Sequence, residues 1–389
     1  MIAGRAALVG IGSTDFMKDS GRTRSELAAS AVLDAIYDAG LTVDEVDGLV
    51  GTYWGPVQDT VPPAELARTL GLDGVRFQLY DGVGGFNVCG MVTAAAAAVD
   101  AGICRAVVVY RAANGRSERA APAAEMPGGS VEQWRVPFGH FHAATNFGPR
   151  FVAHMARYGT THLDLGRIAV AQRDNALLNA KAQMRTPLTL EQHRDAPAVV
   201  DPYRLFDCCL QSDVAQAVVV SSVERARDLR HTPVTIAAVG GQVRPADVPL
   251  WQMNTRRSVD ELYAQADATP GDLDFAQLYD PFTGTCLIHM DGFGLASEGE
   301  LSSWLEGGGH LLDGTTPVNT HGGLLSEGHA FGLNHVVEAV QQLRPAGVRD
   351  DLCTGGHDFD RSHCRQVRDA RLGLVCAEDG ESSLLLRRG

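Results

Sequence analysis

The chain has 389 residues, 45% of them hydrophobic and 21% charged, with a formal net charge of -14. That length exceeds one simple core, so two domains or two fused halves are expected. The acidic balance excludes nucleic acid as a main partner while leaving room for one local basic pocket, and no apolar run reaches the roughly 18 residues of a membrane span.

In chain order, Ala6–Val9 reads as a short strand ended by Gly10-Ile11-Gly12. The chain enters it almost at once with no leader-like pattern, so a cytoplasmic protein is expected. The eight cysteines are scattered without a disulfide framework, which fits reduced thiols in a cytosol. Thr23-Arg24-Ser25-Glu26 has the form of a capping box. Leu27, Ala31, Val32 and Ala35 follow at helical spacing, and Gly40 is the expected stop. A strand over Val46, Leu49 and Val50 comes next, then a buried helix over Val92–Asp100 and a strand over Ala106–Val109.

The phrase Ala39–Asp47 returns in similar form as Ala266–Asp274: Ala, then Thr, then an acid, an aliphatic residue and Asp. Each copy follows a helix-like stretch and precedes a strand-like one. A strand candidate lies upstream of each, Ala6–Gly12 and Pro233–Gly241. A repeat of such long period indicates duplication of one α/β unit. The second copy continues with a helix over Val336–Leu343 and strands over Leu372–Val375 and Ser382–Leu386. A stretch including Arg150–Tyr158 and Leu165–Lys181 interrupts the repeat. The expected organisation is a first half in residues 1–115, a cap or loop insertion in 116–205, the end of the first half in 206–232 and a second half in 233–389.

Four further stretches carry a specific resemblance. Asn319-Thr320-His321-Gly322-Gly323-Leu324-Leu325-Ser326-Glu327-Gly328-His329-Ala330-Phe331-Gly332 resembles the thiolase signature N-x-x-G-G-x(4)-G-H-x-x-G. Leu278-Tyr279-Asp280-Pro281-Phe282-Thr283 is similar to the corresponding motif of the sterol-carrier and lipid-transfer branch. So are Asp201–Cys209 with Ser212-Asp213, and Ala169–Arg173. The resemblance covers nearly the whole chain and is closest to steroid side-chain-cleaving aldolases. It implies the thiolase fold: a duplicated five-layer αβαβα architecture of the α/β class, here with a cap insertion.

The nucleophile position departs from that family. Thiolases carry a cysteine where a strand meets the long buried helix, and a thiolate there gains from the helix N-terminus. Counting back from Ala101-Gly102, that slot falls on Gly85 in Asp81-Gly82-Val83-Gly84-Gly85-Phe86-Asn87-Val88-Cys89. Glycine forms no acyl-enzyme. Gly84 and Gly85 are instead expected to make room for the acyl chain or to offer it backbone N–H groups. Cys89 stands one turn later, as a small buried residue or as a displaced nucleophile beside the substrate. Cys376 sits near the place of the second thiolase cysteine, but without the glycine triplet that follows it in the family. An acid/base thiol there would act on the α-carbon.

The resemblance also supplies roles. Tyr279 aligns with the tyrosine that aldolase members use near the substrate hydroxyl. His329 stands where relatives have a histidine or a tyrosine and is expected at the thioester oxygen or as a proton shuttle. These two roles are exchangeable. Asn319 either orients a water or the thioester or serves as a turn residue. His321, Gly322 and Gly323 of the signature are expected against the substrate, because glycines let backbone pass close to a ligand.

The implied reaction is retro-aldol cleavage of a β-hydroxyacyl-CoA with a steroid-like or branched side chain and no covalent intermediate. Coenzyme A enters as part of the substrate, and no other cofactor or metal is expected. The implied assembly is a homodimer with a DUF35 partner, a protein with an OB-fold and zinc ribbon. The alternatives are an acyltransferase or thiolase using His329 with Cys89 or Cys376, and a non-catalytic acyl-CoA-binding scaffold. Cys353, His357, His363 and Cys364 have metal-ligand side chains but no zinc-finger spacing, so they read as a surface loop. Arg225–Arg230 mixes charges as a solvated helix face does.

Overall fold

The computed structural model describes residues 2–52, 61–81, 87–118, 132–140, 143–241, 248–253, 256–344, 351–353 and 358–389. The strands are β1 (Ala6–Ser13), β2 (Gly48–Thr52), β3 (Phe77–Asp81), β4 (Ala106–Asn114), β5 (Ala198–Val200), β6 (Tyr203–Arg204), β7 (Asp213–Ser222), β8 (Val234–Gly241), β9 (Phe275–Leu278), β10 (Leu372–Cys376) and β11 (Ser382–Arg388). Nine of them share one hydrogen-bonded sheet in the order β3-β2-β4-β7-β1-β8-β11-β10-β9, and β5 and β6 pair separately.

The seam of the duplication is the antiparallel pair β1–β8, with Ala7 opposite Thr235 and Leu8 opposite Val234. On one side β2 is parallel to β4, β4 antiparallel to β7, and β7 antiparallel to β1. On the other β9 is parallel to β10, β10 antiparallel to β11, and β11 antiparallel to β8. The repeated phrase folds alike in both copies. Thr42 N–H donates to Glu45 Oε2 at 2.9 Å and Thr269 N–H to Asp272 Oδ2 at 2.8 Å. Each box closes a single 3₁₀ turn, Val43–Glu45 or Pro270–Asp272, that leads into β2 or β9.

Side-chain alternation builds the layers. Along β4, Val107 and Val109 turn inward to the helices Val88–Asp100 and Leu333–Leu343. Ile236, Val375 and Leu384 of the other half reach the same two helices. Val108 and Tyr110 face the opposite way, onto the helix Arg24–Asp38. The outer face of the second half, with Ala238, Leu374 and Leu385, packs on Leu262, Cys286 and Leu287 of the helices Arg256–Gln265 and Thr283–Gly292. The two halves of the sheet thus form separate layers, and the order is helix, half-sheet, helix, half-sheet, helix. Strands buried on both faces read as unbroken apolar runs, as in Val218-Val219-Val220 of β7. Each fully buried valine or leucine in these cores contributes roughly 1.5–3 kcal/mol.

The local signals meet their structural partners. Thr23 Oγ1 accepts from Glu26 N–H at 3.2 Å, and Thr23 N–H donates to Glu26 Oε2 at 2.8 Å. Gly40, at φ 77°, turns the chain out of that helix. Within 116–205 the described elements include the helices Ala143–Tyr158 and His162–Leu177 and the β5–β6 pair. The first of these helices packs on Thr283–Gly292 and the second on the turn Gly323–Glu327. Among the described residues, no helix is long and apolar enough to cross a membrane.

One expectation about the thiols is corrected. Cys353 and Cys364 are joined as a disulfide, so reduced thiols do not describe all eight cysteines. An isolated antiparallel bridge between these two positions, 11 residues apart, brings the sulfurs together, and their bond closes a small buried cluster with Leu352. His363 Nε2 lies 2.8 Å from Asp358, and His357 is outside the described residues.

Candidate active site

The carboxyl ends of the parallel pair β9–β10 set the position of the site, as is usual in open α/β sheets. Tyr279 is the first residue after β9. Its neighbour Leu278 is clamped by Asn319: Leu278 N–H donates to Asn319 Oδ1 at 2.7 Å, and Asn319 Nδ2 donates to Leu278 O at 2.9 Å. Asn319 adopts φ 49°, a left-handed conformation that asparagine tolerates better than most residues. His289 Nδ1 donates to Tyr279 O at 2.9 Å and completes the frame. Burial pulls His289 down to about 3, so it serves as a neutral donor.

A second frame holds the signature loop. Asp280, fully buried, accepts Leu324 N–H on both carboxyl oxygens at 3.0 Å and lies 3.1 Å from His335 Nε2. His335 Nδ1 is 3.0 Å from His321 Nε2, and that nitrogen is 3.4 Å from Glu327 Oε2. Asn179 and Asn334 each donate to Glu327 at 2.8 Å. Gly322 at φ 108° and Gly323 at φ 62° start the single π-type turn Gly323–Glu327. A Cβ on Gly323 would collide with Asp280 and Gln172. Backbone approach thus explains the glycine pair, but the close neighbour is protein.

The loop then delivers His329. Its N–H donates to Ser212 Oγ at 3.3 Å, and its Nε2 lies 3.4 Å from the Tyr279 hydroxyl. Its ring packs on Phe331 at 4.4 Å, and the Arg111 guanidinium covers the other ring at 4.0 Å. Burial first, then Arg111 and His335, pull the His329 imidazole down to about 3. Burial above all holds the Tyr279 hydroxyl well above the usual tyrosine range. A neutral phenol and a neutral imidazole therefore share one hydrogen. One tautomer leaves the phenol hydrogen for a substrate, and the other leaves the phenol oxygen.

Both groups open into a cavity of about 780 Å³, within the size range of small-molecule sites. Phe147, Phe282 and Leu325 give it an apolar wall, and Lys18, Arg116 and Arg173 give it a basic side. Phe147 belongs to the helix Ala143–Tyr158 and Arg173 to His162–Leu177, so these two helices supply part of the enclosure. Ser212, Cys208, Cys209 and Glu378 also reach it.

The remaining expected residues lie elsewhere. Asn319, His321, Gly322 and Gly323 are buried behind the wall and none lines the cavity. The contacts just described are with protein groups, because the turn is pressed against Asp280 and Gln172. Cys89 and Cys376 have no exposed surface and also stay out of the cavity. Cys89 Sγ faces Val375 O at 3.7 Å, and burial raises both thiols far above the thiolate-forming range. Gly84 and Gly85 lie outside the described residues. The sequence reading missed Glu378 and Arg111. Glu378 was visible as the acid replacing the glycines after Cys376, and Arg111 carried no local signal. Ser212 stood in a quoted motif whose acids prove structural: Asp207 binds Thr283 and His193 at 2.7 Å each, and Asp213 binds Ser117.

Known proteins resemble this chain in sequence and in fold. Residues 242–352 match the family described as Thiolase C-terminal domain-like. The chain is similar to a steroid side-chain-cleaving aldolase of Thermomonospora curvata, with 38% identity over 92% of this chain and 96% of the relative. It is 37% identical to the 17-hydroxy-3-oxo-4-pregnene-20-carboxyl-CoA lyase of Mycobacterium tuberculosis, over 92% of this chain and 97% of that one. The solved structure of an Ltp2-ChsH2(DUF35) aldolase superposes with a TM-score of 0.88 at 36% identity, covering 100% of this chain and 98% of that one.

Proposed function

This chain belongs to the thiolase superfamily, on the branch of the steroid side-chain-cleaving aldolases, and we propose that Tyr279 and His329 support its retro-aldol cleavage of a β-hydroxyacyl-CoA. One observation carries the reading. The only thiols placed like thiolase cysteines among the described residues, Cys89 and Cys376, are sealed in the core, whereas a phenol and an imidazole meet at 3.4 Å on the cavity wall.

The reaction needs no covalent intermediate. The β-hydroxyl loses its proton and becomes a carbonyl as the Cα–Cβ bond breaks. The bonding electrons pass to the thioester as an enolate, and the α-carbon then takes up a proton. Tyr279 holds the β-oxygen, and His329 stabilises the thioester oxygen as its charge grows. Donors fixed in a water-poor wall do this better than water, because they need not reorganise. Neutral groups also suit the task, since no charge has to be desolvated first. The apolar wall of Phe147, Phe282 and Leu325 suits a steroid-like or branched acyl group, and the basic side suits the phosphates of coenzyme A.

The assembly proposed is a cytoplasmic homodimer joined by a DUF35 protein. Support comes from the likeness to the Ltp2-ChsH2(DUF35) aldolase. Co-expression with such a protein should give a complex of defined mass, and separate elution on a sizing column argues against it.

The deciding experiment feeds β-hydroxyacyl-CoA thioesters bearing steroid side chains to the protein with its partner. A ketone and a shortened acyl-CoA are expected, with no acyl group left on the protein by mass spectrometry. An acylated cysteine would revive the acyl-transfer alternative. Tight binding without any product would leave the scaffold alternative.

A further inference from the structure

We infer that Glu378 is the proton-transfer residue of this site, taking the β-hydroxyl proton and returning it to the α-carbon. This deepens the aldolase reading and rests on it.

The end of β10 sorts three consecutive side chains to three places. Cys376 enters the core of the second half, Ala377 enters the core between the sheets, and Glu378 turns into the cavity. Glu378 begins the short 3₁₀ turn Glu378–Gly380 and is only 2% exposed, yet it lines the same cavity as Tyr279 and His329. Its carboxylate stands 3.9 Å from the Arg150 guanidinium, which complements its charge. Tyr279 is near enough to feel that charge. Glu378 is the only carboxylate among the described residues lining the cavity.

The other groups around the cavity are poorly suited to accept a proton. The Tyr279 hydroxyl keeps its hydrogen, and the His329 imidazole is a weak base. Burial pushes the Cys208 thiol up to about 12 and Cys209 higher still. Asp280 lies behind the wall, engaged by Leu324 and His335. A retro-aldol site still requires a base within reach of the β-oxygen.

The step balances without any further reagent. Glu378 takes the hydroxyl proton, and the freed oxygen electrons form the ketone. The Cα–Cβ pair moves into the enolate, Tyr279 and His329 steady the oxygens, and the glutamic acid gives its proton to the α-carbon. One proton leaves and one returns.

The test uses the protein with its partner and compares Glu378→Gln with Glu378→Asp. Glu378→Gln should lower kcat about 100-fold or more, a usual size for general acid–base catalysis, with KM and melting temperature close to wild type. Glu378→Asp should recover part of the loss. A second readout separates proton transfer from mere packing. In D₂O the wild type should exchange the α-hydrogens of the product acyl-CoA, and Glu378→Gln should bind that thioester equally well without exchanging them. Full cleavage or full exchange by Glu378→Gln overturns the assignment and leaves the aldolase reading intact. A wild type that cleaves no β-hydroxyacyl-CoA sinks that reading and this one together.

Discussion

Two sets of reactive side chains lie on opposite sides of one wall, formed where β9 and β10 end. In front stand Tyr279, His329 and Glu378, facing a cavity of about 780 Å³. Behind it lie Cys89 and Cys376, with no exposed surface. The thiols sit among aliphatic side chains, where ionisation is disfavoured and access is closed. The front groups are also buried for the most part but line an opening, so their hydrogens can be shared with a ligand. Burial therefore selects which of two chemistries one scaffold supports. The contrast can be broken from either side by substitutions that leave the wall standing.

After Glu378→Gln, the largest effect in that comparison is expected at Tyr279. Tyr279→Phe removes one hydroxyl and its 3.4 Å contact with His329 while keeping the ring that packs on His335. Turnover should fall at least about tenfold with little change in melting temperature. Equal turnover in steady-state assays would remove Tyr279 from the mechanism.

Asn319→Ala acts one layer further back. It strips both hydrogen bonds from Leu278, a buried strand residue. Each buried group left without a partner costs about 1–3 kcal/mol. Chemical denaturation should show a loss of about 2–6 kcal/mol for the two groups together, and turnover should fall less than in Tyr279→Phe because the hydroxyl remains. A stable variant with turnover as low as Tyr279→Phe would mean that Asn319 touches the substrate after all.

These two residues also mark how much was legible in the sequence. The duplicated architecture was readable because Thr42-to-Glu45 and Thr269-to-Asp272 encode their turns locally, through a cap and an acid three residues apart. The signature stretch was readable because its glycines and histidines recur at set spacing. What Asn319 does was not readable, because its partner Leu278 lies 41 residues earlier. Whether His321 and Cys376 meet solvent was equally hidden, since exposure depends on elements packed from both halves. Glu378 was legible as a departure from a glycine triplet, but its direction follows from the 3₁₀ turn that begins there, beyond the end of β10.

A smaller effect concerns pH. Burial pushes Glu327 up to about 8 from an ordinary 4.5, so the folded protein keeps a proton there that the unfolded chain releases. This contribution to stability is whole below pH 4.5 and is lost as pH rises towards 8. His289 and His329, pulled from 6.5 to about 3, act oppositely: their contribution is whole above 6.5 and is lost as pH falls towards 3. Glu327→Gln keeps the shape and cannot ionise. Thermal melts of this variant should decline less between about pH 5 and about pH 8 than those of the wild type. Parallel declines would mean that Glu327 is ionised in the folded protein.

The smallest effect on activity is expected behind the wall, and it is the sharpest test of the contrast. Cys89→Ala and Cys376→Ala each remove one sulfur from a packed core, which should cost about 1–2 kcal/mol of stability, near the low end for large-to-small core changes. Turnover should stay within about twofold, since neither sulfur reaches the cavity. Brief iodoacetamide treatment of the folded protein should leave both cysteine peptides unmodified, while Cys208 and Cys209 face the opening. If Cys376→Ala lost activity as Tyr279→Phe does while keeping its melting temperature, the thiol would have to reach the substrate during turnover. The wall would then open, and the division between acid–base and thiol chemistry would be one of timing, not of burial.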